Sequence, residues 1–280
     1  MFQRSLGSFA LAAALCLAVS GAQAFDESKY PNWKGQWVRI GGGGQWDTTK
    51  PPVRGQQPPI TEEYRAIWEK NIAEGIAGGQ YYNPQVRCLP GGMPRMMFAY
   101  EPMEVIVLPD TTYILQEYVP MIRRVYTDGR DFPTDEEPAF LGYSIGKWVD
   151  EDNDGKFDVL EIETRNMKGP RSFDASGIPV HADNQTVVKE RIWLDKTDKN
   201  LLRNEITTTD SALTRPWTVM KTYRRDLSAK PIWFEYVCAE GNHHVVVGKN
   251  NYFISGDGYL MPTRKDQAPP DLKFFSQRPR

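Results

Sequence analysis

Between Glu104 and Arg225, apolar and polar residues alternate in short runs that are typical of amphipathic β-strands. The runs are rich in Val, Ile, Thr, Tyr and Trp, and Pro, Gly, Asp or Asn bounds each of them. The predicted strands are Glu104–Leu108, Thr112–Tyr118, Met121–Thr127, Gly142–Val149, Phe157–Arg165, Thr186–Leu194, Leu201–Thr208 and Trp217–Arg224. No long apolar segment of helical period separates them, so an antiparallel meander closes into a barrel or folds into a sandwich. We expect an all-β, up-and-down barrel of about 8–10 strands.

Two further elements precede this region. Asn32–Ile40 has the alternation of a first strand, and Ile60–Gly75 has apolar residues at helical spacing after a Thr61 N-cap. The helix is expected to dock on the barrel exterior or across one mouth. Residues 25–280 are therefore predicted to form one domain, with a loosely held tail over Asp266–Arg280.

The first 24 residues have the pattern of a cleaved signal peptide. A single charge at Arg4 precedes the apolar run Leu6–Ser20, and Ala22-Gln23-Ala24 has the small-x-small form of a cleavage site. The apolar run is too short for a comfortable membrane span, and no later segment offers one. This pattern predicts a periplasmic or secreted protein that begins near Phe25.

The overall charge excludes some partner classes. The formal net charge is −2, and removal of Arg4 with the leader makes it −3. The composition therefore lacks the excess of Lys and Arg that is typical of proteins that bind nucleic acid or anionic lipid.

Two cysteines, Cys88 and Cys238, remain after Cys16 leaves with the leader. In an oxidising compartment two cysteines usually pair, which predicts a disulfide. The alternative is a catalytic thiol, for which His243 and His244 are the nearby imidazoles.

Gly35-Gln36-Trp37 lies on the first predicted strand. This Gly-x-Trp resembles the opening signature of lipocalins and the wider calycin barrels, in which the Trp plugs the closed end. The resemblance rests on these three residues, and an ordinary core Trp on an ordinary strand is the alternative. The strand motifs also look like those of exported proteobacterial proteins.

An acidic segment, Asp150–Glu161, matches the loop pattern of an EF-hand. Asp150, Asp152, Asp154 and Glu161 occupy ligand positions for Ca²⁺. Strand-like segments flank it where an EF-hand needs helices, so a solvated hairpin tip is the alternative. Ca²⁺ is the one cofactor that the sequence suggests.

Met121–Pro133 carries an arginine on each face, Arg123 on one and Arg124 on the other. An arginine on a core-facing side needs a partner, so one of them is paired with a buried carboxylate or presented to a ligand. Glu190, between Val188 and Ile192 on the same strand face, and Glu205 are candidate inward carboxylates.

Three functions follow from these patterns. The first is a barrel that binds a hydrophobic or oxygenated small molecule, with an arginine at its polar end. Its candidate ligand-binding residues are Arg124, Glu205, Tyr223, Trp217 and Met96.

The second is a cofactor-independent lyase, isomerase or hydrolase that uses general acid/base residues in the barrel. Its candidate catalytic residues are Glu190, Arg123, Tyr126, His181 and Asp128, with Asp183 placed to orient His181. The third is a cell-envelope interaction protein that uses its long loops.

Overall fold

The computed structural model describes residues 25–41, 57–77, 83–181, 183–238, 244–247, 249–254 and 259–269. The predicted signal peptide, His243 and residues 270–280 of the predicted tail lie outside the described residues.

Nine strands of the described chain form a closed barrel. They are β1 (Gln36–Ile40), β2 (Met103–Val107), β3 (Thr111–Gln116), β4 (Met121–Tyr126), β5 (Tyr143–Val149), β6 (Val159–Arg165), β7 (Val187–Leu194), β8 (Leu201–Thr209) and β9 (Trp217–Arg225). Successive strands pair antiparallel, except that β4 and β5 pair parallel, and β9 returns to pair with β1. The prediction of an antiparallel up-and-down barrel is confirmed apart from the parallel pair of β4 and β5, and the closed barrel is consistent with a calycin-like architecture.

The remaining regular elements lie outside the barrel wall. Helix α1 spans Glu62–Ile76, close to the predicted helix. A separate three-stranded antiparallel sheet contains β10 (His244–Val247), β11 (Asn250–Ile254) and β12 (Leu260–Pro262). Among the described helices, none combines the length and the apolar character that crossing a bilayer requires.

Aromatic side chains close one end of the barrel. Trp37 is fully buried, and its indole N–H donates to the Trp33 carbonyl at 2.8 Å. The Trp33 ring lies 4.9 Å from the ring of Trp148 at the end of β5. The Arg225 guanidinium stacks over the Trp37 ring at 4.2 Å, so a cation–π contact completes this end.

Two loops, residues 83–102 and the described residues 166–181 and 183–186, cover the opposite end, and we call them the mouth loops. The Tyr223 hydroxyl donates to the Met97 carbonyl at 2.6 Å, which ties the first loop to β9. Phe173 of the second loop contacts Phe98 at 5.1 Å and stacks on Trp217 at 4.2 Å. Aromatic pairs of this kind stabilise a fold beyond the apolar area that they bury, so these contacts help to hold the mouth loops on the barrel.

Gly92 lets the first mouth loop approach its neighbour closely. Its φ is +67°, and a Cβ there would lie 2.5 Å from the Phe140 carbonyl oxygen. An L side chain is disfavoured on both grounds. Arg171 then donates to the Met93 carbonyl at 3.1 Å and joins the two mouth loops.

Helix α1 packs on the second mouth loop. The Trp68 indole donates to the Ser176 carbonyl at 3.1 Å, and the Tyr64 ring lies 5.8 Å from His181. The helix therefore covers the mouth end, one of the two positions that its apolar stripe predicts.

The predicted disulfide is present between Cys88 and Cys238, whose Cα atoms are 5.5 Å apart. It joins the first mouth loop to the segment that follows β9. The alternative of a catalytic thiol at either position is excluded in this oxidised form.

Candidate functional site

The barrel interior contains a buried ion pair. The Arg123 guanidinium, from β4, contacts the Glu190 carboxylate, from β7, and the side chains are 1% and 0% exposed. Arg123 also donates to Ser144 Oγ at 3.1 Å and to Thr164 Oγ1 at 2.8 Å. Asn204 Nδ2 donates to the second carboxylate oxygen of Glu190 at 3.0 Å. The arginine and the carboxylate are thus held by each other and by neighbouring strands.

The mouth end contains a cavity of about 210 Å³. Apolar, thioether and aromatic side chains line it together with a few polar groups, which is the usual composition of a ligand site. The lining residues are Asn83, Gln85, Arg95, Met96, Phe98, Ala99, Tyr100, Glu101, Tyr118, Met121 and Ala175. We call this space the mouth cavity.

Two of the polar residues in the wall are buried. Arg95 and Gln85 are both buried, and Arg95 Nη1 donates to Ser172 Oγ at 2.8 Å. Burial raises the pKa of the Tyr118 phenol to about 12, and its hydrogen bond with Tyr236 acts in the same direction. Tyr118 is therefore a neutral hydroxyl in the wall at physiological pH.

Two more cations lie behind the aromatic wall of the mouth cavity. The Arg39 guanidinium stacks on the Tyr100 ring at 3.6 Å, and Lys221 Nζ lies 4.7 Å from the centre of the Phe98 ring. Both cations are buried and project inward from adjacent strands, β1 and β9.

The environment of Lys221 disfavours its charged form. Burial and, after it, the positive charge of Arg39 lower the pKa of Lys221 to about 8, with Asp174 opposing them. Burial also raises the pKa of Tyr223 above its usual range, helped by the negative charge of Glu190. Lys221, near the mouth cavity, and Tyr223, near Glu190, both lie on the inward face of β9, so this strand carries polar groups of both regions.

The structure brings some of the sequence-predicted residues together. Arg123, Glu190 and Tyr223 all project into the barrel, whereas Trp217 and Met96 lie at the mouth. Of these, Met96 lines the mouth cavity directly.

Other candidates lie outside the barrel. Tyr126 stacks on Tyr143 at 4.9 Å, and Asp128 is exposed and pairs with Arg130 at 2.6 Å. Arg124 lies on the outer face, 5.9 Å from the centre of the Tyr113 ring. Glu205 also lies on the outer face, opposite Arg191 of the neighbouring strand. Strand parity explains this result, because a residue one position from an inward side chain points outward.

His181 lies at the rim rather than in the barrel. Its Nδ1 is 3.1 Å from an Asp183 carboxylate oxygen and accepts from the Asp183 backbone N–H at 3.0 Å. The Asp183 carboxylate thus lies beside the imidazole, while its orienting role stays a prediction; the pair is half-buried and separate from Arg123 and Glu190.

The acidic segment forms a hairpin tip between β5 and β6. Carboxylate oxygens of Asp150, Asp152 and Asp158 lie within 4.8 Å of one another. The Asp150 carboxylate accepts the backbone N–H groups of Asp154 and Gly155 at 3.2 and 2.9 Å.

The other two predicted ligands lie differently. Asp154 accepts from the Lys156 N–H at 2.8 Å, while Glu161 pairs with Arg191 at 3.2 Å on the outer face. The carboxylates thus close a turn, and Ca²⁺ binding stays a prediction.

Sequence reasoning overlooked Arg39, Arg95 and Lys221. Lys221 alternates with Trp217, Val219 and Tyr223 on the apolar face of β9, so its position in this alternation predicts that it points into the barrel. Arg39 shares the face of Trp37 in the same way. Arg95 lies in a loop without periodicity, and only its spatial neighbours reveal it.

Comparison with known proteins adds no assignment: no family model matches the chain, and no curated protein matches it.

Proposed function

We propose that this protein binds a small molecule with an apolar body in the mouth cavity. The observation that carries the proposal is the meeting of Met96, Phe98 and Met121 with buried Arg95 and Gln85 around one space. Apolar walls supply the binding free energy, and a few fixed polar groups orient the ligand.

The size of the mouth cavity limits the ligand. Its volume of about 210 Å³ is below the roughly 300–1,000 Å³ of sites for drug-sized molecules. A ligand with a single ring or a short chain is the size class that fits. Thioether groups adapt their shape to such ligands, which favours Met96 and Met121 as contact residues.

Larger surface grooves are weaker candidates. A groove of about 510 Å³ on the outer face of β5–β8 is lined by charges that pair with one another, such as Lys189 with Glu163 at 3.3 Å. Another, of about 590 Å³, lies between residues 27–34 and β2. Its charged side chains, Lys34 and Glu27, form an exposed pair at 2.7 Å. The mouth cavity differs from these grooves in that the buried side chains of Arg95 and Gln85 line it.

Binding is favoured over catalysis by the state of the candidate catalytic residues. Arg123 and Glu190 contact each other in the interior and expose at most 1% of their side chains. A general base must reach the proton that it removes, and a carboxylate that is closed off by its own partners does not.

The site of action proposed here is outside the cytoplasm. The leader-like N-terminal sequence and the Cys88–Cys238 disulfide both support export, since disulfides persist in oxidising compartments.

Filling the mouth cavity tests the proposal. Ala175 lines the cavity and is itself exposed, so Ala175→Phe fills the space without disturbing the core. Benzyl alcohol serves as a ring-sized probe, and calorimetry or ligand-detected NMR measures its binding. We expect wild type to bind and Ala175→Phe to lose at least tenfold in affinity.

Ala73→Phe is the matched control, because Ala73 is exposed on α1 and does not line the cavity. It should bind as wild type does. Equal binding by both variants would contradict the proposed site, and no binding by wild type would contradict the proposed function.

A further inference from the structure

We propose that His181 is a pH-sensitive switch at the contact between the second mouth loop and helix α1. Its Nδ1 atom faces two groups of opposite character on one residue: the Asp183 backbone N–H at 3.0 Å and an Asp183 carboxylate oxygen at 3.1 Å. A ring nitrogen accepts from a donor only when it carries no proton, and donates to an acceptor only when it carries one. The protonation state of the imidazole therefore decides which of the two contacts is a hydrogen bond.

The neutral imidazole uses the backbone donor. Its Nδ1 lone pair accepts the Asp183 N–H, and the ring proton is then on Nε2. In this state the same lone pair also lies beside the negative carboxylate oxygen, which is an unfavourable contact.

The protonated imidazole uses the carboxylate instead. Nδ1–H then donates to Asp183 Oδ2 in a charge-assisted hydrogen bond, and the Asp183 backbone N–H no longer has Nδ1 as its acceptor. Each protonation state thus satisfies one contact at the expense of the other.

The Asp183 carboxylate is a fixed acceptor in the pH range where histidine titrates. It accepts the Gln185 backbone N–H and the Ser211 hydroxyl, both at 3.0 Å. Burial opposes the shift, but these hydrogen bonds and the nearby His181 lower the pKa of Asp183 below its ordinary value. The carboxylate therefore stays charged down to about pH 5, whereas histidine side chains ordinarily titrate between about pH 5 and 8.

Two further charged groups hold the backbone of His181. Its N–H donates to the buried Asp210 carboxylate at 2.9 Å, and its carbonyl accepts from the buried Arg171 guanidinium at 3.3 Å. The Thr186 hydroxyl accepts from Arg171 at 2.8 Å and donates to Asp210 at 2.5 Å, so it joins the two. The charges of Asp210 and Arg171 act on an imidazolium with opposite sign. The backbone is therefore anchored while the side chain changes its partner.

Helix α1 is linked to the switch through Tyr64. The Tyr64 ring lies 5.8 Å from the imidazole, within the roughly 6 Å range of a cation–π contact. Burial and, after it, the negative charges of Glu63, Asp210 and Asp183 raise the pKa of Tyr64, so its phenol is neutral. A protonated imidazole therefore gains an attraction to this ring that the neutral imidazole lacks.

NMR titration of wild type from about pH 5 to about 8.5 tests the switch. The ¹⁵N signals of the His181 ring should report an unprotonated Nδ1 at high pH and a protonated Nδ1 at low pH. The Asp183 amide signal should move with the same midpoint. Its hydrogen-exchange protection, corrected for the intrinsic rate, should fall roughly two- to tenfold in acid, which is the value of one net hydrogen bond.

The link to helix α1 has its own signal. The Trp68 indole donates to the Ser176 carbonyl at 3.1 Å and is the second contact between α1 and this loop. Its N–H signal should shift with the midpoint of the His181 ring.

Two variants of the same kind assign the response. His181→Gln does not titrate and keeps an acceptor in its amide oxygen, so the Asp183 amide and the Trp68 indole should lose their pH dependence. His244→Gln is the matched control, because His244 lies on β10, outside the barrel wall. It should keep the wild-type response.

The outcomes are distinct from those of the ligand experiments, since the switch goes beyond the proposed function and is measured without a ligand. An Asp183 amide that does not respond to pH, or an Nδ1 that keeps its proton at high pH, would overturn the switch. A response that survives in His181→Gln would belong to another group and would overturn it as well. A Trp68 indole signal that stays in place would overturn the link to α1. If His181→Gln does not fold, the wild-type titration still decides the matter.

Discussion

Buried cations occupy inward positions of the barrel strands, where apolar side chains are expected. Arg39 and Lys221 occupy strand positions that alternate with Trp37 and with Trp217, Val219 and Tyr223, where an apolar side chain is the usual occupant. A buried charge costs stability unless its surroundings compensate, and the aromatic faces of Tyr100 and Phe98 are part of that compensation here. Positions that reduce stability in this way are typical of sites that bind or react.

Lys221→Met should change how stability depends on pH. The pKa of Lys221 falls from its ordinary 10.5 to about 8 in the folded protein because the residue is buried near Arg39. Between these values the unfolded chain binds a proton that the folded chain has released, so the free energy of unfolding rises with pH. That rise, at most about 3 kcal/mol, should be missing in Lys221→Met. Urea unfolding of both proteins from pH 7 to 10.5 measures it, and parallel curves would contradict the assignment.

Glu190→Leu should destabilise the protein strongly. It leaves the Arg123 guanidinium buried without its carboxylate, which costs about 3–5 kcal/mol. The double variant Arg123→Met, Glu190→Leu should lose much less than the sum of the single variants, since an apolar pair needs no counter-ion. Urea unfolding supplies the three values. Additive losses would show that the two residues act independently.

At the scale of elements, the strands follow directly from the sequence and the mouth does not. Apolar and polar residues alternate in β7 and β8 because one face of each strand is buried. This alternation, with turn residues at its ends, predicts where each strand begins and ends to within about two residues. The mouth loops have no period, and their order comes from long-range contacts such as the Tyr223 hydroxyl with the Met97 carbonyl. Strand parity alone also left open which of Arg123 and Arg124 points inward.

The parallel seam between β4 and β5 depends on a glycine. Gly146 projects inward on β5, and a Cβ there would lie 2.6 Å from Val125 Cγ1 and 3.1 Å from Leu160 Cδ1. Both neighbours are fully buried, so neither moves freely.

Gly146→Ala should therefore destabilise the barrel although alanine is ordinarily better in regular structure. Overpacking of a filled core typically costs about 1–3 kcal/mol. The midpoint of urea unfolding measures the loss. An unchanged or higher midpoint would mean that the seam has room for a methyl group.

At the scale of the whole molecule, the disulfide connects the site to the end of the barrel sequence. Cys88 follows the 3-10 helix Pro84–Arg87, which carries Gln85 of the cavity wall. Cys238 lies beyond β9, and its Sγ is 3.7 Å from the Gln85 carbonyl oxygen. The bond therefore holds one wall of the mouth cavity as well as closing a long stretch of chain.

Cys88→Ser with Cys238→Ser should lower both stability and affinity. A bridge across 150 residues contributes up to about 5 kcal/mol by loop entropy, and loss of a native disulfide commonly costs about 2–5 kcal/mol. Thermal unfolding and benzyl alcohol titration of the double variant measure the two effects. If the melting temperature and the affinity are both unchanged, the disulfide supports neither the barrel nor the wall.

Placement of the ligand at the mouth is the claim on which the function depends, and methionine methyl NMR tests it directly. In protein labelled at the methionine methyl groups, benzyl alcohol should shift the signals of Met96 and Met121, which line the cavity. The signal of Met220, exposed on the outer face of β9, should stay in place. Shifts at Met96 and Met121 that saturate together are the expected result; a shift confined to Met220, or none at saturating probe, would contradict it.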